Sequence, residues 1–196
     1  MECARCGRSD GSPCSSCLDE LAAADSVPDL DPVCSTFALL QYDDTSRPFI
    51  ADLKFHGQWA AARTLAPAMA SLLRGALKES AGSPVLTWAP TTEDRVRRRG
   101  FDQAEVLAIY VGQHMGLRVR RHLRRYPGDQ QTGRSRQERS SGVYFESVRN
   151  CDGTVVVVDD VMTTGATLRA AAEVLRSAGA TEVIGLALAA TPPKVP

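Results

Sequence analysis

Hydrophobic positions along this chain switch repeatedly between a strand-like pattern and a helical one. Val33 to Tyr42, Val85 to Ala89, Leu117 to Leu123, Thr154 to Asp159 and Glu182 to Ala190 read as strands, with Val143-Tyr144-Phe145 as a shorter one. The four consecutive valines Val155 to Val158 fit a strand buried on both faces, as in a parallel sheet. Helical spacing covers Ser46 to Phe55, capped by Ser46 and stopped by Gly57, and the Ala/Leu-rich run Trp59 to Leu77. It recurs from Phe101 to Met115, closed by Gly116, and from Gly165 to Ala178, closed by Gly179. Phe101, Ala104, Leu107, Ala108, Val111 and Met115 share one helix face. A short helix is expected from Leu18 to Ala24. Strands alternating with helices predict an α/β fold with a doubly wound, mostly parallel sheet and a ligand at the C-terminal ends of the strands.

Two stretches lack periodicity. Asp25 to Pro32 is polar and carries two prolines, the composition of a linker. Residues 1–32 are therefore expected to form a small N-terminal unit with its linker, and residues 33–196 the main domain. Tyr126 to Gly142 is polar, contains Gly128, Gly133 and Gly142, and reads as a long mobile loop, of a length that serves as a functional lid or is disordered.

Composition narrows the class. The chain is 43% hydrophobic, enough for a sizeable core. No apolar run approaches the roughly 18–20 residues of a membrane span. The N-terminus lacks the apolar core of a secretory signal, so a cytoplasmic protein is expected. Net charge is zero, but the charges are segregated. Residues 95–139 hold 12 of the 23 basic and 4 of the 23 acidic residues. A basic block inside a neutral chain points to a localised anion site rather than a general nucleic-acid coat.

Four of the six cysteines, Cys3, Cys6, Cys14 and Cys17, are spaced C-x2-C-x7-C-x2-C. Two-residue spacing lets both thiolates of a pair reach one tetrahedral ion. Structural zinc is the favoured reading over free thiols in a tail or a redox pair, because redox C-x-x-C motifs open a helix after a strand. All four positions being protein ligands, no place remains for a catalytic water. Cys34 and Cys151 lie outside the pattern and read as buried or neutral thiols.

The densest chemistry follows the valine run. Asp159 and Asp160 stand at its end, then Thr163-Thr164-Gly165-Ala166-Thr167 leads into a helix. Backbone N–H groups, hydroxyls and the helix dipole converge there as a phosphate cradle. The adjacent acids suit a sugar diol or a hydrated Mg²⁺. A capped strand–turn–helix would need neither the paired acids nor the second threonine. Before the Phe101 helix, a second strand-to-helix loop carries Arg95, Arg97, Arg98, Arg99 and Gly100. These arginines read either as a forked grip on pyrophosphate or as a solvated charge run.

The Val155–Thr167 run resembles the phosphoribosyl-pyrophosphate (PRPP) motif of type I phosphoribosyltransferases: four hydrophobics, two acids, then Thr-Thr-Gly-x-Thr. The order of pieces is similar to the ComF/GntX family. An N-terminal four-cysteine zinc element is followed by Leu53-Lys54-Phe55-His56-Gly57, by Arg99-Gly100-Phe101-Asp102-Gln103-Ala104, by Gln131-Thr132 through Arg139, and by the PRPP motif. Asp102 stands where that family usually has Asn, Gly133 where Leu is common, and Ser140-Ser141 replaces an Asn-bearing segment.

The resemblance implies a type I phosphoribosyltransferase sheet, with Asp159 and Asp160 on ribose hydroxyls and Thr163 to Thr167, Ala166 included, on the 5′-phosphate. It places Arg95 to Gly100 at pyrophosphate, makes Gln131, Thr132, Arg136 and Arg139 part of a lid, and brings Mg²⁺ with PRPP or nucleotide. It implies a PRPP- or nucleotide-binding protein that supports uptake of single-stranded DNA in transformation, with that DNA and DNA-processing proteins as partners. The alternative is an active Mg²⁺-dependent phosphoribosyltransferase of unknown acceptor base or amine.

Overall fold

A computed structural model describes residues 2–55, 59–78, 82–126 and 143–192. The helices are α1 (Ser15–Asp19), α2 (Arg47–Phe55), α3 (Ala60–Ala76), α4 (Glu93–Arg99), α5 (Gln103–Met115) and α6 (Ala166–Ser177). The strands are β1 (Ser35–Gln41), β2 (Val85–Trp88), β3 (Leu123–Tyr126), β4 (Tyr144–Ser147), β5 (Thr154–Met162) and β6 (Glu182–Ala190). β1, β6, β5 and β2 form one sheet in that order, every pair parallel. β3 and β4 form a separate antiparallel pair.

The valines explain the layering. Successive side chains of a strand point to opposite faces. Val156 and Val158 join the core beneath α2, α3 and α5, while Val155 and Val157 join the core beneath α6. All four are at most 1% exposed, so β5 is sandwiched on both sides. Among the described residues no helix is long and apolar enough to cross a membrane.

Several boundaries depart from the sequence reading. β5 runs beyond Asp159 to Met162 because β6 keeps pairing with it, through Val161 with Ala189 and Met162 with Ala190. The two carboxylates therefore lie within the strand. The strand expected at Leu117–Leu123 is reduced to one bridge, Val119 with Leu86, held by Leu86 N–H to Arg118 O and Arg120 N–H to Leu86 O. The chain then leaves the main sheet to form β3. The helix expected at Leu18–Ala24 is instead α1, which starts at Ser15 and ends at Asp19. Beyond it Ala23 bridges antiparallel to Leu40, with Ala24 N–H on Leu39 O and Gln41 N–H on Ala22 O. This contact covers the open edge of β1, which would otherwise offer unpaired backbone groups.

Asp25–Pro32 does not behave as a free linker. Leu30 is 2% exposed and packs in the α6-side core. Thr36 Oγ1 donates to Pro28 O at 2.8 Å, and Arg176 Nε donates to Val33 O at 2.7 Å. An apolar side chain and hydrogen bonds to its backbone anchor this polar run. The loop expected over Arg95–Gly100 is mostly helix α4. Glu93 and Asp94 in its first turn and Arg97 to Arg99 in its last match the helix dipole, and Gly100 closes it at φ +83°. The lid residues Gln131, Thr132, Arg136 and Arg139, and the stop at Gly57, lie outside the described residues.

Candidate functional site

β5 carries both acids at the C-terminal end of the sheet. Asp159 and Asp160 are each 8% exposed, unusual burial for carboxylates. By strand alternation they face opposite layers. Asp160 faces α5, where Gln103 Nε2 donates to its Oδ2 at 3.4 Å. Its Oδ1 accepts from Val161 N at 2.8 Å, and Asp159 Oδ1 accepts from Asp160 N at 2.8 Å. Burial drives the Asp159 carboxyl well above the ordinary carboxylate range, and the charges of Asp160 and Asp102 push the same way.

Asp102 is the third acid of the group and caps α5. Its Oδ1 accepts from Ala104 N at 3.1 Å and its Oδ2 from Thr91 N at 2.8 Å. Burial raises its pKa, the N–H groups of Thr91, Ala104 and Glu105 oppose that, and Asp160 adds to the rise. An asparagine could accept only one of these two bonds, because its amide nitrogen is a donor. The aspartate adds a buried charge to a site that already holds two.

Asp159 and Asp102 cost stability at neutral pH. A carboxyl whose pKa is higher in the folded state binds its proton more tightly when folded. Its contribution is whole below the ordinary aspartate value of about 4 and is lost as pH rises through the folded value. Asp159→Asn keeps the Oδ1 acceptor and removes the buried charge. The variant is expected to gain about 0.5–2 kcal/mol near neutral pH, with the gain shrinking towards about pH 4. Urea unfolding across that range measures it, and equal loss of stability at both ends would contradict it.

After β5 the chain turns through Thr163 and Thr164, both exposed, into α6. Thr164 Oγ1 accepts from Ala166 N at 3.4 Å, and Thr191 Oγ1 donates to Thr163 O at 3.4 Å. Gly165 has φ +75°, a conformation glycine adopts without strain. A side chain there would also have to displace Leu30. A Cβ there would lie 2.8 Å from Leu30 Cδ2. The sequence assigned this glycine to ligand approach. The structure adds a packing reason, contact with the supposed linker.

The arginines divide. Arg99 Nη1 donates to Gln103 Oε1 at 3.2 Å, so Gln103 links it to Asp160. Arg97 pairs with Asp94, and Arg95 and Arg98 are exposed. Arg125 on β3 joins them. Burial and the charge of Arg95 lower its pKa, while the charges of Asp159 and Asp102 oppose the fall. A cavity of about 310 Å³ between α4 and β3 is lined by Arg97, Arg124, Arg125 and Tyr126, among others.

Away from these acids, the Sγ atoms of Cys3, Cys6, Cys14 and Cys17 lie within 4.8 Å of one another. Four sulfurs around zinc at about 2.3 Å would sit about 3.8 Å apart, so the cluster has the right scale. Cys6 and Cys14 are 3.6 Å apart. Burial resists ionisation of Cys3, but backbone N–H groups of Cys14, Cys6 and Arg5 outweigh it and lower its pKa to about 6. Burial pushes Cys17 to about 12, with the other three thiols adding to the rise. Of the remaining cysteines, burial raises Cys34 to about 11, and Cys151 Sγ lies 3.3 Å from His122 Nδ1.

Sequence reasoning did not single out Gln103 or Arg125 as site residues. Gln103 sits in a quoted motif, but its partner Asp160 is 57 positions away. Arg125 was one arginine among 12 in the basic block. Nothing in the local pattern separates it from its neighbours.

Residues 96–194 match the family described as the phosphoribosyl transferase domain, a span of just over half the 196 residues. No curated protein matches the chain. Among solved structures it is similar to the allosteric regulatory enzyme of purine biosynthesis, at 24% identity over 70% of this chain and 30% of that one, with a TM-score of 0.44. It is similar to a hypoxanthine phosphoribosyltransferase from Staphylococcus aureus at 12% identity, over 67% of this chain and 64% of that one, with a TM-score of 0.44. An APRTase from Giardia lamblia complexed with 9-deazaadenine shares 23% identity over 82% of this chain and 77% of that one, with a TM-score of 0.40. The chain thus spans under a third of the first of these and just under two thirds of the second. With its PRPP-like segment inside the matched span and a parallel α/β sheet beneath it, the chain belongs to the phosphoribosyl transferase domain family.

Proposed function

We propose that the chain binds PRPP, or a 5′-phosphorylated nucleoside, with Mg²⁺ at residues 159–167. One observation carries this reading. Two buried acids stand beside a hydroxyl-bearing turn that opens α6, at the C-terminal end of a parallel sheet. In this reading Asp159 and Asp160 hold the ribose hydroxyls, and Thr163, Thr164, Gly165, Ala166 and Thr167 surround the 5′-phosphate. Arg95, Arg97, Arg98, Arg99 and Gly100 belong to the pyrophosphate side, with Arg125 added from β3. Mg²⁺ supplies charge neutralisation of the pyrophosphate when bound. The chain's own groups orient the ligand and exclude water.

Calorimetry tests the reading. PRPP should bind in a Mg²⁺-dependent way. Thr164→Ala should weaken it, and Gly165→Val should abolish it, since valine meets both the positive φ and Leu30. Unchanged PRPP affinity in a folded Gly165→Val variant would place the ligand elsewhere.

The cysteine geometry favours the finer reading as a ComF/GntX-type protein, with structural zinc at Cys3, Cys6, Cys14 and Cys17. Residues 1–32 then form the zinc knuckle and its strap, and 33–196 the phosphoribosyltransferase-like domain. A cytoplasmic setting keeps such thiols reduced. That reading carries a role in handling single-stranded DNA during transformation, with exposed arginines of α4 as phosphate contacts. Turnover remains the alternative. Pyrophosphate release from PRPP with a panel of bases and amines separates an enzyme from a binding factor.

A further inference from the structure

The polar run before β1 reaches the turn that opens α6. Leu30 is buried in the same apolar core as Met162 and Leu168, which flank that turn. Its methyl carbons fill the space where Gly165 would carry a side chain. A Cβ there would lie 2.8 Å from Leu30 Cδ2 and 3.1 Å from Cδ1, and the three heavy atoms nearest to it all belong to Leu30. Beside it the Asp29 carbonyl accepts from Arg169 Nη2 at 3.5 Å, while Arg169 N–H donates to Gly165 O at 2.8 Å. Leu30 is itself held. Its carbonyl accepts from Val33 N at 2.8 Å, and Arg176 in the last turn of α6 binds Val33 O.

The turn needs such a support. Thr191 ties down its entry, through Thr191 N–H to Met162 O at 2.9 Å and Thr191 Oγ1 to Thr163 O at 3.4 Å. Further in, the bond from Ala166 N to Thr164 Oγ1 is long, at 3.4 Å. A glycine at φ +75° can leave that conformation at little cost, since glycine populates both signs of φ. A cradle of N–H groups binds an anion well only when those groups already point at one place. The side chain packed on Gly165 is therefore the one that limits its freedom.

We propose that Leu30 is a positioning residue for phosphate binding, which packs on Gly165 and keeps the Thr163–Thr167 turn in its anion-binding geometry before the ligand arrives. The inference rests on the reading of residues 159–167 as the PRPP site. It adds that a segment well before the matched phosphoribosyl transferase span, which begins at residue 96, sets the affinity of that site.

Calorimetry on the full chain tests it. Leu30→Ala should weaken inorganic phosphate and Mg²⁺–PRPP together, each about tenfold, the scale of ordering one or two residues on binding. Leu30→Met, close in volume, should bind both like the parent. Leu30→Val gives the same comparison with a smaller truncation if the alanine variant does not fold. Leu175→Ala is the control. Leu175 is fully buried in the same core near the far end of α6, so its loss lowers the melting temperature without touching the turn. Both affinities should survive it. Hydrogen exchange without ligand gives a second readout: amides 164–167 should exchange faster, relative to those of β5, in Leu30→Ala and not in Leu175→Ala. Unchanged affinity for both ligands in a folded Leu30→Ala chain, or an equal loss in Leu175→Ala, would overturn the proposal. If the parent chain binds neither ligand, the PRPP reading fails and exchange alone judges Leu30. Faster exchange confined to 164–167 then upholds its hold on the turn, and an equal rise along all of α6 refutes it.

Discussion

A Cys14→Ser variant should bind no zinc and should melt about 10 °C or more below the parent chain. The size follows from where the cysteines sit. Cys3, Cys14 and Cys17 are buried in the same apolar cluster as Leu40, Phe49, Ile50 and the inward faces of α3 and α5. Cys14 itself is 0% exposed. Structural zinc contributes on the order of 10–16 kcal/mol of binding free energy in small zinc peptides, and part of that is folding free energy. Loss of a metal belongs with the few changes that exceed about 4 kcal/mol. In a chain of this length each kcal/mol moves the midpoint by about 2–4 °C. Because the cysteine unit packs on the main core, the loss should appear as one shifted transition, not as melting of an N-terminal tail alone. Scanning calorimetry and zinc content on the same sample measure both quantities. An unchanged midpoint in protein shown to lack zinc would mean that thiol packing suffices and that the metal reading is wrong.

The parts of the molecule with a local physical signature were legible in the sequence. Four valines in a row can only be buried on both sides, and β5 is. A strand, two acids, hydroxyls and glycine entering an apolar-periodic helix describe one turn whose pieces touch in sequence. The C-x2-C pairs encode their own geometry, since two-residue spacing brings sulfurs together. What was hidden depends on partners far along the chain. The polarity of Asp25–Pro32 spoke for a linker, yet Leu30 packs against Gly165, 135 positions later, and Thr36 bonds to Pro28. The alternation in Leu117–Leu123 spoke for a strand, but β2 offers a partner only around Leu86. The arginine-rich loop proved helical because Glu93 and Asp94 at one end and three arginines at the other satisfy a helix dipole. That signal was present, and the functional reading of the arginines obscured it. The Trp59–Phe101 pair joins two helix starts separated by 42 positions, and no local pattern announces it.

Asp160→Asn should weaken PRPP and ribonucleotide binding by about 1.5–3 kcal/mol, the scale of a hydrogen bond to a charged group. The structure shows why this variant reads function rather than folding. Asp160 Oδ1 accepts from Val161 N at 2.8 Å, a bond that the asparagine oxygen keeps. On the other side Gln103 Nε2 donates to Oδ2 at 3.4 Å, and the new amide would face it with a donor. Gln103 can turn its own oxygen towards that amide, at the expense of its contact with Arg99. The fold therefore gives up only the Arg99–Gln103 contact while the site loses one negative charge. If that charge holds the ribose hydroxyls, the sugar-bearing ligands lose affinity. Inorganic phosphate, which touches only the threonine turn, should bind unchanged or slightly tighter because a repelling carboxylate has gone. If the acids merely shape the turn, phosphate and PRPP weaken together. Calorimetric titration of both ligands against one folded variant distinguishes these outcomes. A parallel loss would remove the ribose role and with it the residue-level support for a phosphoribosyl site on this chain.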